Sequence, residues 1–243
     1  MLRSLHVALI FMTTLPTPRL KDWHDDDARR SVRAYPLVGL ILGLILTAAF
    51  YVLSNADPLL RGALVTALWL VLTGALHFDG FCDMADAAFS AKSPEERQRI
   101  AKDSHVGAFA LAAGVMLLLV KVAAVSDLRS AWWLVVVLML ARTLVIAPLA
   151  WFEVHEDSSL GRAARISRRE AFLPLCLGLL LSLGFGIWLD VTVFLLSLLV
   201  TTLAVLALAY WLRRRLAGLS GDAYGALIEM SEATFLICIS LFA

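Results

Sequence analysis

Charged side chains are scarce in this 243-residue sequence. Only 17% of the residues are charged, whereas 60% are hydrophobic and the mean hydropathy is +0.83. Soluble domains carry about a quarter charged residues, so this composition predicts a protein that lies largely within a lipid bilayer. The net charge of +1 also provides no strongly basic surface, and no nucleic-acid partner is expected.

Cysteine is equally sparse. The three cysteines, Cys82, Cys176 and Cys238, are far apart in the sequence and odd in number. This pattern excludes a disulfide framework and the paired spacing of a zinc site. We therefore interpret them as small hydrophobic residues.

Seven apolar stretches approach the roughly 20 residues needed to cross about 30 Å of hydrocarbon. They are residues 34–54, 59–78, 107–125, 131–152, 172–189, 191–212 and 226–243. We predict an all-α fold, a polytopic membrane bundle of about seven transmembrane helices that forms a single domain over residues 1–243.

The apolar segment at residues 4–16 is shorter and is interrupted by Thr13 and Thr14. No small-residue cleavage site follows it, which argues against a secretory signal peptide. We expect a retained interfacial or re-entrant segment, with a full span as the alternative.

Positive charge is concentrated in the long loops between these stretches. Sixteen lysine and arginine residues lie in four segments, whereas only Arg61 and Arg129 occupy the opposite turns. The segments are residues 19–33, 79–106, 153–171 and 213–215. Because lysine and arginine accumulate on the cytoplasmic side, this asymmetry predicts a cytoplasmic (inner) membrane protein whose long loops face the cytoplasm.

The segment LHFDGFCDMAD contains three aspartates, Asp79, Asp83 and Asp86. On a helix their spacing places them within a stripe about 60° wide, where like charges repel unless a cation lies between them. We call these three residues the aspartate stripe. Oxygen-only ligands on one face favour Mg²⁺, and the alternative is a helix end with solvated acids.

Two further polar clusters stand out. Lys102, Asp103, Ser104 and His105 precede an apolar stretch, where they indicate either a phosphate site or a simple helix N-cap. The other cluster comprises Asp222, Glu229 and Glu232 near the C-terminus. Acids inside a span usually face a partner or a site, so we weigh substrate contact against pairing with Arg142 or Lys121.

Five segments, taken together, resemble the motifs of the cobalamin synthase family, the adenosylcobinamide-GDP ribazoletransferases, and occur in the family's order. They are FMTTLPTP, YPLVGLILG, TGALHFDGFCDMAD, KDSHVGAF and LSGDAYGALIEMSE. The resemblance covers nearly the whole chain and retains every motif carboxylate. It departs from the family pattern at residues 81–87 and at Ser220, positions that lie beside the carboxylates.

The resemblance implies a Mg²⁺-dependent phosphotransfer. The 5′-hydroxyl of α-ribazole would attack the phosphorus next to cobinamide in adenosylcobinamide-GDP, and GMP would leave. α-Ribazole 5′-phosphate is the alternative acceptor, so the product would be adenosylcobalamin or its 5′-phosphate. A homo-oligomer, or contact with other cobalamin-assembly enzymes, is compatible with such a protein.

The resemblance also implies roles for individual residues, with the active site facing the cytoplasm. The aspartate stripe would hold the metal and take part in catalysis together with Asp103. The substrate-binding residues would be Lys102, Ser104, His105, Asp222, Glu229 and Glu232.

Other functions fit parts of the same pattern. CDP-alcohol phosphotransferases and intramembrane prenyltransferases also use aspartates and Mg²⁺ at a membrane face, although a prenyltransferase normally brings two aspartate-rich motifs. A small-molecule transporter would also contain charged residues within its spans, but transporters usually bind near the bilayer midplane.

Overall fold

Apolar runs of membrane length form helices throughout the chain, because a helix satisfies its own backbone hydrogen bonds in hydrocarbon. The computed structural model describes residues 1–20, 22–24, 26–103, 105–156 and 158–243. Within these ranges the only β-structure is an isolated bridge between Val154 and Leu219. The α-helices are α1 (Leu2–Met12), α2 (Asp27–Ser31), α3 (Tyr35–Val52), α4 (Pro58–Thr73), α5 (Leu76–Phe89), α6 (Pro94–Ile100), α7 (Ala108–Asp127), α8 (Trp133–Leu144), α9 (Ile146–Trp151), α10 (Ser159–Ala164), α11 (Arg168–Leu189), α12 (Val191–Leu216) and α13 (Gly221–Phe242).

Six helical segments in the described ranges are long and apolar enough to cross a membrane, and α4 with α5 makes a seventh candidate. The all-α polytopic bundle predicted from the sequence is therefore confirmed, and the chain is a multi-pass membrane protein. Helix α1 has 11 residues and is about 16 Å long, too short for a full span. This length agrees with the interfacial or re-entrant segment rather than with the spanning alternative.

The second predicted span, 59–78, ends earlier than expected. Helix α4 stops at Thr73, and α5 starts at Leu76 after a bend of 92°. Gly74 and Ala75 separate the two helices, and both adopt left-handed backbone conformations, with φ of 58° and 53°. Left-handed residues terminate a helix, so the aspartate stripe lies on a separate, reoriented helix.

The N-terminal motif FMTTLPTP stabilises this bend. The backbone N–H of Thr14 donates to the carbonyl of Leu72 at 2.8 Å, and its hydroxyl donates to the carbonyl of Val71 at 2.7 Å. The last carbonyls of a helix have no intrahelical donor, so Thr14 supplies the partners that the end of α4 needs. The segment that follows α1 thereby helps to set the direction of α5.

Helix α8 is the centre of the bundle and is buried along nearly its whole length. It packs closely against α3, where Gly39 and Gly43 face the α8 backbone. A Cβ at Gly39 would lie 2.4 Å from the carbonyl oxygen of Leu138. Small residues at this contact allow the two backbones to approach, as is common between membrane helices.

Adding one methyl group should lower the stability of the protein at a packed glycine but not at an exposed one. We expect Gly39→Ala to lower the melting temperature of the detergent-solubilised protein, because overpacking costs about 1–3 kcal/mol. Gly184, on the outer face of α11, serves as the control, since a Cβ added there would meet no heavy atom within 4 Å. Gly184→Ala should leave the melting temperature unchanged or raise it, because alanine is the better helix former. Equal effects of the two changes would contradict the close α3–α8 contact.

Candidate active site

Helix α5 carries all three residues of the aspartate stripe on one continuous helix. Asp79 is exposed, and Asp83 and Asp86 are half-buried. His77 lies on the opposite side of the helix and is only 3% exposed. The helical spacing read from the sequence is therefore present, and it separates His77 from the acids.

Helix α13 brings a fourth carboxylate, Asp222, to the stripe. The two helices touch at glycines: a Cβ at Gly80 would lie 2.8 Å from the Cα of Asp222, and one at Gly225 would lie 3.2 Å from the Cα of His77. Asp222 belongs to the first turn of α13, because this helix starts five residues before the predicted span. The negative charges acting on Asp83 come from Asp79, Asp222 and Asp86.

These carboxylates are not neutralised by a basic side chain in the part of the chain that the structure describes. No ion pair among the described residues involves Asp79, Asp83 or Asp222. Like charges that share one face repel each other, so the cluster favours the binding of a cation.

The donor set suits Mg²⁺, although the acids do not yet converge on one point. Across the described ranges, no three His, Cys, Asp or Glu side chains are close enough to hold a metal ion. Mg²⁺ is commonly held by one or two carboxylates together with substrate phosphates, and it keeps several waters. A site of this kind needs no preformed cage of three protein ligands.

Asp86 also has a structural contact. Its carboxylate accepts hydrogen bonds from the backbone N–H groups of Gly107, at 2.6 Å, and Ala110, at 2.9 Å. The N-terminus of α7 is therefore capped by a residue of α5, and not by Asp103 as one alternative from the sequence held. This contact places the end of the loop before α7 beside the aspartate stripe.

That loop carries the second polar cluster. The ring of His105 lies 2.6 Å from the carboxylate of Asp103, and both residues are exposed. This hydrogen bond lowers the pKa of Asp103 and raises the pKa of His105, which favours the protonated ring. Lys102 precedes them and is also exposed, whereas Ser104 lies outside the described residues.

A polar cavity of about 150 Å³ lies beside Asp222. Its polar lining is Gln98, Lys102, His155, Ser158, Ser159, Ser220 and Asp222. Helix α6 is held here because the side-chain amide of Gln98 donates to the carbonyl of Leu216 at 2.8 Å, at the end of α12. His155 and Ser158 were not predicted, and their only sequence signal is a short polar run in a basic loop.

Glu229 and Glu232 lie elsewhere, in a buried ion cluster in the middle of the bundle. Lys121 of α7 contacts a carboxylate oxygen of each glutamate at 2.5 Å, and Arg142 of α8 pairs with Glu232. The Lys121 ammonium also lies 4.4 Å from the ring centroid of Trp69. Two acids and two bases balance in charge, so the structure contains the pairing weighed from the sequence, and neither glutamate lines the polar cavity.

The comparisons with known proteins agree with the motifs. The model of the cobalamin-5-phosphate synthase family matches residues 4–240. This chain belongs to that family. Curated relatives named adenosylcobinamide-GDP ribazoletransferase include those of Deinococcus radiodurans, 40% identical over 95% of this chain and 82% of the relative, and of Pseudomonas aeruginosa, 38% identical over 99% and 98%. The relative from Desulfitobacterium hafniense is 35% identical over 97% of this chain and 96% of its own length.

No solved structure matches this chain. The family match extends over all the helices that carry the acids, and it favours this family over the CDP-alcohol phosphotransferase, prenyltransferase and transporter alternatives. The chain is therefore a transferase of cobalamin biosynthesis.

The loss of one charge should lower the stability of the protein in the buried ion cluster but not in the aspartate stripe. Glu232→Gln leaves Arg142 buried without its full counter-charge, and removing one partner of a buried pair costs about 3–5 kcal/mol. We therefore expect a lower melting temperature by tryptophan fluorescence in detergent. Asp79→Asn relieves repulsion within the stripe and should leave the melting temperature unchanged or raise it. Equal losses of stability would contradict a structural role for the Glu232 carboxylate.

Proposed function

We propose that this chain is an adenosylcobinamide-GDP ribazoletransferase. It joins adenosylcobinamide-GDP to α-ribazole, or to α-ribazole 5′-phosphate, and releases GMP. The family match over residues 4–240 supports this activity, and the group of acids on α5 and α13 is the observation that carries its chemistry.

The reaction exchanges one phosphorus–oxygen bond for another. The nucleophile is a free ribose hydroxyl other than the 5′-hydroxyl named from the sequence, because the 5′-oxygen is already esterified in α-ribazole 5′-phosphate and its product keeps that phosphate. The oxygen of this hydroxyl bonds to the phosphorus that carries cobinamide, and the bond from this phosphorus to the bridging oxygen breaks. GMP departs with that oxygen. The hydroxyl proton passes to a carboxylate of the aspartate stripe, which acts as the general base.

Mg²⁺ is the cofactor we propose, held by Asp79 and Asp83 with Asp86 and Asp222 close by. When bound, it neutralises the phosphate oxygens and stabilises the charge of the leaving group. Asp86 keeps the loop before α7 next to these oxygens. In that loop Lys102 and His105 bind the pyrophosphate, because cationic side chains stabilise phosphate charge, and Asp103 orients the His105 ring.

The acids of the buried cluster have a different role in this proposal. Glu229 and Glu232 hold α7, α8 and α13 together through Lys121 and Arg142. They set the position of α13, and with it that of Asp222, rather than contact the substrate.

We further propose that the active site faces the cytoplasm across the inner membrane. The sixteen lysine and arginine residues of the long loops support this orientation, since the polar cavity is lined by residues from two of these loops. Nucleotide-activated substrates are then available on the side where the acids are exposed.

Loss of one carboxylate should abolish the reaction without unfolding the protein. We expect Asp83→Asn to reduce GMP release from adenosylcobinamide-GDP and α-ribazole by at least about 100-fold, because it removes a metal ligand and part of the negative charge. EDTA should stop the wild-type reaction, and Mg²⁺ should restore it. The assay uses purified protein in detergent with chromatographic detection of GMP.

Asp190 provides the matched control. It caps α12 by accepting from the N–H groups of Thr192 and Val193, far in sequence from the stripe. Asparagine is an equally good cap, so Asp190→Asn should retain wild-type activity. Full turnover by Asp83→Asn, or in metal-free buffer, would refute the proposed site.

The orientation can be tested with single cysteines. In a background without the native cysteines, Lys92→Cys should react with a membrane-impermeant thiol reagent only after the cytoplasmic side is opened. Arg129→Cys, in a turn between α7 and α8, should react in intact cells. The reverse pattern would contradict the cytoplasmic site.

A further inference from the structure

Asp222 borders a second, apolar cavity that the phosphate chemistry does not use. It has a volume of about 70 Å³ and lies between α1, α5, α9, α10 and the start of α13. Its apolar walls include Phe11, Met12, Leu76, Val145, Leu149 and Ile228. An apolar lining with few polar groups is typical of a site for a small, mostly apolar group.

One residue that lines this cavity, Tyr224, carries a polar group that the described residues leave unpaired. The residue Tyr224 is 7% exposed, and its hydroxyl makes no hydrogen bond to any of them. By contrast, the ring of His77 lies 3.5 Å from the guanidinium of Arg142. Because an unpaired buried hydroxyl is costly, the Tyr224 hydroxyl indicates a ligand atom that completes its hydrogen bonding.

The two cavities meet at one residue. Asp222 lines the apolar cavity and also the polar cavity, and its backbone contacts Gly80 of α5. A ligand whose apolar end fills the first cavity therefore extends its polar end past Asp222 to the aspartate stripe. The nucleoside acceptor of the proposed reaction has this form, with a flat aromatic base at one end and a reactive ribose hydroxyl at the other.

We propose that the apolar cavity binds the benzimidazole base of α-ribazole, and that the Tyr224 hydroxyl donates a hydrogen bond to the free ring nitrogen. This inference rests on the proposed function. It makes Tyr224 and Ile228 specificity-determining residues for the acceptor. It also places Asp222 beside the bond that joins the base to the ribose.

The proposed hydrogen bond can be tested by removing its donor from the protein and its acceptor from the ligand. Wild-type protein should bind α-ribazole about 5-fold more tightly than the matching indole nucleoside, which lacks the free ring nitrogen, since a net hydrogen bond is worth about 1 kcal/mol. Tyr224→Phe should bind both nucleosides equally. Isothermal titration in detergent with Mg²⁺ and no donor substrate gives the four affinities.

Stability provides a second readout for the same variant. Tyr224→Phe removes a buried hydroxyl that the described residues leave unpaired, so its melting temperature without ligand should equal or exceed that of the wild type. α-Ribazole should then stabilise the variant less than the wild type. A wild-type preference between the two nucleosides that persists in Tyr224→Phe would overturn the assignment of this hydroxyl.

Filling the cavity tests its occupant independently. Ile228→Trp should raise the KM for α-ribazole at least about 10-fold, while the KM for adenosylcobinamide-GDP stays within about 2-fold of the wild-type value. Ile237→Trp, on the same helix but 40% exposed, is the matched control and should change neither constant.

The outcomes separate this inference from the proposed function. If no GMP is formed by the wild type, the function itself fails. If GMP is formed but Ile228→Trp leaves the acceptor KM unchanged, or raises only the donor KM, the base lies elsewhere and the inference is wrong. Co-purified lipid that α-ribazole does not displace from the cavity would also overturn it.

Discussion

The close crossing of α5 and α13 is the contact on which the rest of the site depends. Gly80 has no side chain at the point where the backbone of Asp222 passes, and Gly225 leaves the same space beside His77. Any larger residue at Gly80 would separate the helices and move Asp222 away from the stripe. The acidic cluster, the polar cavity and the apolar cavity all border this crossing.

Burial and pairing divide the acids of this protein into two groups. Glu229 and Glu232 lie in the bundle, where an unpaired charge is very costly, and Lys121 and Arg142 neutralise them. The acids of α5 and Asp222 border water and have no basic partner among the described residues. The first group holds helices together, and the second has charge available for a cation or a substrate.

The spans and the aspartate stripe were accessible from the sequence, but the division of the acids was not. The apolar runs predicted the spans, since their lengths follow from the bilayer thickness, and the i, i+4, i+7 spacing predicted the stripe because helical geometry is local. The bend after Thr73 was not predicted, because it depends on Thr14 from a distant segment. Nor was the cap of α7 by Asp86, which requires that α5 lie against α7.

The sequence by itself determined a multi-pass helical membrane protein of the cobalamin synthase family with acids at one end of its spans, because hydropathy, loop charge and motif order are properties of the chain alone. Only the tertiary structure decided which acids are paired, that Asp222 joins the stripe, and that Tyr224 lines an apolar cavity while its hydroxyl has no hydrogen bond to the described residues. Residues far apart in the chain meet in each case, and such meetings follow from helix packing, not from local spacing.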